Sequence, residues 1–280
     1  MKHTITRKED LNAADYVIDV IAPKVAKKFR PGNFAVLITR SNGERIPMSI
    51  EKAEGDKITM YIKRLGKTSR ELDTWNVGDA LYKVIGPMGT PPPLKKYGTV
   101  VFASDLVCGH AENNAMCREL KKIEGNHVIS IQSFPTKEDV YPEKERAKKD
   151  ADEYILATGD GSVGRKGHMI DVLQELLEER KIDMVFAGGD IPALQKLSEL
   201  TKKYNVPVMT TVRQIMVDAT GMCGSCRVFI DGEQKLACID GPMFDGHKVD
   251  WEAAISRLAM FKGKEAEAME CYNEKMKAVV

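Results

Sequence analysis

The chain has 280 residues and a formal net charge of +1, with 43% hydrophobic and 30% charged residues. That length suffices for two domains or one large one with a substantial core, and near-neutrality removes the electrostatic case for nucleic acid or an anionic membrane as the main partner. The polar start, MKHTITRKEDLNAADY, is not a secretory signal, no apolar run approaches a membrane span, and six cysteines are too sparse for a disulfide scaffold, so a reducing cytoplasm is the expected setting.

In chain order, the first hundred residues read as short strands. Runs rich in β-branched and aromatic residues at 15–23, 34–39, 57–63 and 79–86 are separated by Gly, Pro, Asn and charged turns. Such strands with no long helical pattern between them predict an antiparallel barrel or sandwich. Residues 86–98 hold four prolines and exclude regular structure, which places a boundary there. Beyond it the rhythm alternates. Strands are predicted at 99–104, 127–134, 154–158, 182–188 and 206–212, and helices at 111–123, 169–180 and 191–204. Alternation of this kind predicts a parallel sheet with covered faces. Residues 251–276 read as a terminal helix. The predicted architecture is a multidomain α+β protein: a β domain over 1–97, an α/β domain over 98–213, and a small segment with a terminal helix over 214–280.

The strongest chemical signal lies in that last segment. Asp218, Cys223, Cys226 and Cys238 follow the pattern D-x4-C-x2-C-x11-C, which is the plant-type ferredoxin spacing with Asp in first place. Thiolates suit an iron–sulfide core, and a carboxylate is a harder ligand that favours ferric iron. Gly221 and Gly224 allow a tight loop whose N–H groups can face the sulfurs. A zinc site of one Asp and three Cys is the competing assignment, although zinc ribbons more often pair two C-x2-C knuckles. Cys108, Cys117 and Cys271 lie outside the cluster and read as small buried hydrophobes or free thiols.

A β domain, an α/β domain and a C-terminal cysteine loop together resemble the ferredoxin reductase-like electron-transfer subunits. The family in question includes the small subunits of NADH-dependent reduced ferredoxin:NADP oxidoreductase and of sulfide dehydrogenase, and the electron-transfer subunit of dihydroorotate dehydrogenase. The resemblance rests on 22–34 (APKVAKKFRPGNF), 44–50 (ERIPMSI), 66–69 (GKTS), 160–167 (DGSVGRKG) and 216–228 (MVDATGMCGSCRV). It implies a [2Fe–2S] cluster on Asp218, Cys223, Cys226 and Cys238, and FAD in a β-barrel. Arg45 would face the flavin pyrophosphate, Pro47, Met48 and Ser49 would lie along the isoalloxazine, and Gly66, Lys67, Thr68 and Ser69 would form a second phosphate-contacting turn. It further implies NAD(P)(H) at the α/β domain, a larger iron–sulfur flavoprotein as partner, and electron bifurcation within the complex.

The pattern departs from the family at the nucleotide site. The first loop of the α/β domain, residues 103–112, carries one glycine, Gly109, and an acidic Asp105 where a glycine-rich loop should approach phosphate. The later loop keeps Gly188 and Gly189 but adds Asp190. A G-x-G-x-x-G does occur at Gly159, Gly161 and Gly164, with Asp160 and Ser162 inside it and Asp183 about twenty residues on. Its position is not the first βα turn, and a plain turn accounts for the glycines equally well. Two functions stay open: hydride transfer from NAD(P)H to FAD, or a relay in which FAD and cluster serve partner subunits without a working nucleotide site. A zinc-stabilised structural or regulatory subunit is a third. Because cofactors carry such chemistry, no acid–base residue is expected to be catalytic, and His110 and His247 read as satisfied polar residues.

Overall fold

The computed structural model describes residues 2–277. The N-terminal part holds seven strands: β1 (His3–Asp10), β2 (Asp15–Ile21), β3 (Phe34–Ile38), β4 (Arg45–Glu54), β5 (Lys57–Lys63), β6 (Ala80–Leu81) and β7 (Lys83–Met88). Short helices α1 (Pro23–Ala26) and α2 (Lys67–Asp73) lie between them. All pairings are antiparallel, in the order β6-β1-β2-β5-β4-β3-β7. The two outermost strands are one stretch of chain interrupted at Tyr82, so the sheet curls into a nearly closed barrel. Sheet curvature removes the exposed edges. Two of these strands, β1 and β4, were absent from the sequence expectation. Both carry several charged residues, Arg7 to Asp10 in β1 and Arg45, Glu51, Lys52 and Glu54 in β4, which blurs the apolar signal that marks β2, β3 and β5.

The second part contains β8 (Thr99–Ser104), α3 (Val107–Leu120), β9 (His127–Phe134), α4 (Lys144–Asp150), β10 (Glu153–Thr158), β11 (Arg165–Lys166), α5 (Met169–Glu179), β12 (Met184–Gly188), α6 (Ile191–Lys203) and β13 (Val208–Thr211). The third contributes a hairpin of β14 (Arg227–Ile230) and β15 (Glu233–Leu236), then β16 (Met243–Asp245), α7 (Trp251–Leu258) and α8 (Lys262–Lys277). The order β11-β10-β9-β8-β12-β13-β16 is parallel except for β16, which runs antiparallel against β13. Its central strands β8, β9 and β12 are buried on both faces, as covered parallel strands should be, whereas the edge strand β11 is exposed.

The predicted terminal helix is in fact two helices, parted at residues 259–261. Before that break, Leu258 packs on the core, whereas Met260 and Phe261 are exposed. One apolar core joins the parts: Phe34, Val36 and Ile38 of the barrel share it with Val101 of β8, Leu173 of α5, and Cys226 and Cys238. The cysteine segment is therefore packed into the body of the molecule. Among the described residues no helix is long and apolar enough to cross a membrane.

Candidate functional site

The loop from Asp218 to Cys226 is shaped by glycine. Gly221 and Gly224 have φ of +84° and +66°, in the left-handed region that side chains avoid. The Asp218 carboxylate accepts from the amides of Thr220 (2.9 Å) and Cys223 (3.1 Å). The amide bonds hold it below its usual carboxylate range. Cys223 is exposed, and the Ser225 hydroxyl, 3.1 Å away, draws its thiol below the ordinary value. Cys226 and Cys238 are buried and in contact, and burial together with the Cys226 thiol pushes Cys238 up to about 12. Cys238 is placed by the β14–β15 hairpin and by the linker after the barrel: Thr90 donates its amide to the Gly241 carbonyl (2.6 Å) and its hydroxyl to that of Ile239 (2.8 Å).

Among the described residues, no three His, Cys, Asp or Glu converge on one point as a mononuclear metal demands. The donors come instead as two pairs, Asp218 with Cys223 and Cys226 with Cys238. Three soft thiols and one carboxylate would have the donor chemistry to hold a binuclear iron–sulfur cluster.

The flavin candidates lie at the near end of β4. Arg45 is exposed, and its Nη1 donates to the main-chain carbonyl of Asp218 at 3.0 Å. Pro47 is exposed, Met48 half-buried and Ser49 buried. Thr68 and Ser69 are also buried. Thr68 donates to Glu44, and the Ser69 hydroxyl accepts from the amides of Leu65 and Gly66. Their hydroxyls are thus spent on the fold, leaving the exposed Lys67 and the open side of Gly66, where an added Cβ would touch nothing.

Sequence reasoning missed the group that joins these strands to the second sheet. Glu112 of α3, 3% exposed, accepts from Ser49 Oγ (2.7 Å), Thr211 Oγ1 (2.6 Å) and Arg213 Nη2 (3.0 Å). The only sequence hint was the polar run His110 to Asn114 inside a helix with no apolar stripe. Of that run, His110 is neutral: burial takes its imidazole down to about 3, between the Phe134 ring (centroids 4.4 Å) and Ser104 Oγ (2.9 Å).

The nucleotide candidates sit at the carboxyl edge of the parallel sheet. Gly159, Asp160, Gly161 and Ser162 form a turn in which the Asp160 carboxylate accepts the amide and hydroxyl of Ser162 (2.9 and 2.6 Å). The G-x-G-x-x-G leads into strand β11, with α5 following only afterwards, so its glycines do not open a helix. Gly188 and Gly189 are glycines for packing reasons. A Cβ on Gly189 would collide with the Asp105 carboxylate, and Gly188 is pressed against Gly109 of α3. Asp105 accepts the amide of Asp190 (3.0 Å) and lies 2.9 Å from His168 Nε2. A carboxylate therefore lies against the loop of Gly188 to Asp190.

A ferredoxin reductase-like fold joined to a cysteine loop of this design defines an iron–sulfur flavoprotein. Comparison with known proteins agrees. A sequence model for the iron–sulfur cluster binding domain of dihydroorotate dehydrogenase B matches residues 213–250. The chain is 36% identical to the dihydroorotate dehydrogenase B electron transfer subunit homolog of Thermotoga maritima, over 87% of this chain and 86% of that one. A probable subunit of the same kind from Methanopyrus kandleri is 30% identical over 80% of this chain and 82% of its own length. A chain in the solved structure of NADH-dependent reduced ferredoxin-NADP oxidoreductase superposes with a TM-score of 0.91 at 32% identity, covering 97% of this chain and 98% of that one. The chain belongs to the family of dihydroorotate dehydrogenase B electron transfer subunits. Its cofactors are FAD and a [2Fe–2S] cluster.

Proposed function

We propose that this chain moves electrons between NAD(P)(H), FAD and a [2Fe–2S] cluster held by Asp218, Cys223, Cys226 and Cys238, and delivers them to a larger iron–sulfur flavoprotein subunit. The observation that carries this reading is the Arg45–Asp218 hydrogen bond of 3.0 Å, which sets the flavin strand edge to edge with the cluster loop. FAD exchanges electrons in pairs with a nicotinamide and singly with a cluster, which is the chemistry the two groups supply when bound. The chain's own part is positional. Arg45 offers a planar fork to the flavin pyrophosphate, Lys67 and the first amides of α2 offer a second anion contact, and Pro47, Met48 and Ser49 give the ring its wall. Glu112 fixes Ser49 by accepting its hydroxyl. Electron bifurcation, named for the solved relative, is part of the proposal for the assembled complex.

A second reading, relay between partner subunits without nucleotide chemistry, has its own support. Asp105 lies against Gly189 and Asp190, where a pyrophosphate would need amides and open space. Visible absorption of the anaerobically purified chain, before and after NADH and then NADPH, separates the two. Flavin bands that bleach with either nucleotide support the dehydrogenase; flavin and iron–sulfur bands that neither nucleotide bleaches support the relay. A colourless zinc protein refutes both.

A further inference from the structure

Two arginines outside the flavin site hold the cluster loop by its carbonyls. Arg257 of α7 donates Nη2 to the Ser225 carbonyl at 2.9 Å, and Arg227 of β14 donates Nη1 to that of Gly224 at 3.1 Å. Helix α7 is fixed for this. Asp250 caps it through the Ala253 amide (2.9 Å), and Gln214 bonds the Ala254 carbonyl (3.0 Å). The Arg257 Nε–H is buried and among the described residues has no partner. Burial, then repulsion from Arg227, pull the Arg257 guanidinium below its usual value, while the Cys226 thiol acts the other way.

As a protein-only arrangement this is unfavourable. A buried donor without an acceptor is costly, and a like charge beside it adds to the cost. An anion held by the loop that these guanidiniums bind would relieve both. Two ferric ions, two sulfides, three thiolates and one carboxylate leave a net dianion, and one added electron makes it a trianion. A fixed cation nearby therefore favours the reduced form over the oxidised one.

We infer that Arg257, supported by Arg227, is the counter-charge of the cluster and sets its reduction potential. The inference rests on the ligand assignment given above. The test uses the full chain with Arg257→Gln and Arg257→Lys, assayed for iron and sulfide per chain and titrated anaerobically with the EPR signal as readout. The Gln variant should keep its cluster but need a more negative potential, shifting the reduced-to-oxidised ratio about tenfold at the wild-type midpoint, or about 59 mV for a one-electron couple. The Lys variant, which keeps the charge, should stay near the wild-type midpoint. Equal midpoints in wild type and the Gln variant overturn the inference. Should the Gln variant fail to retain a cluster, melting of the cluster-free chains decides. Removing an unpaired cation should raise the Tm above that of cluster-free wild type, and a lower Tm shows a structural strut and overturns the inference. Wild-type chain without iron and sulfide overturns the ligand assignment instead, which keeps the two failures distinct.

Discussion

Replacing Glu112 with alanine removes the acceptor of three hydrogen bonds at once, from Ser49, Thr211 and Arg213. The carboxylate is 3% exposed and Arg213 is only partly open to solvent, so water cannot fully replace it. Breaking one side of a buried pair costs about 3–5 kcal/mol, mostly through the charge left behind. At roughly 2–4 °C per kcal/mol for a chain of this size, that is a Tm lower by roughly 6–20 °C. Thermal unfolding followed by circular dichroism measures it. Adding Arg213→Met should recover about 1 kcal/mol or more, because it deletes the stranded cation. A Glu112→Ala chain melting within about 2 °C of wild type would refute this account of how barrel and sheet are joined.

Two further outcomes follow from the same geometry. His110 is buried and neutral, its pKa drawn from 6.5 to about 3. The unfolded chain takes up the proton first as pH falls below 6.5, so stability present at neutral pH is lost in acid. Between pH 6.5 and 5 the loss from this residue is about 2 kcal/mol. Urea unfolding of His110→Gln at pH 7 and 5 should show a drop smaller by that amount, and equal drops would clear His110 of the effect. Arg45→Ala should lower FAD retention after gel filtration and also raise the rate at which iron is lost to a chelator, since the same guanidinium holds the Asp218 carbonyl; undiminished FAD retention would remove Arg45 from the flavin site.

Much of the architecture was legible because burial is periodic. Strands β8, β9 and β12 are buried on both faces and stand out as largely apolar runs, and α5 and α6 show a helical stripe above them. The D-x4-C-x2-C-x11-C spacing likewise marks a binding loop by itself, since ligands close in sequence need only a tight turn to meet. The strands β1 and β4 and the break at residues 259–261 were not legible, because the pairing of a charge-rich strand and the geometry of a helix end depend on what packs nearby.

The site divides along the same line. Local chemistry determined that a cysteine loop and glycine turns exist. Tertiary structure alone decided that Arg45 reaches Asp218 across 173 positions, that Glu112 collects donors 63 to 101 positions away, and that Arg257 reaches the Ser225 carbonyl while its Nε–H stays unpaired. The reason is physical. Hydrogen bonds and charge pairs act over a few ångströms in space, and sequence separation carries no record of which distant residues the folded core brings within that range.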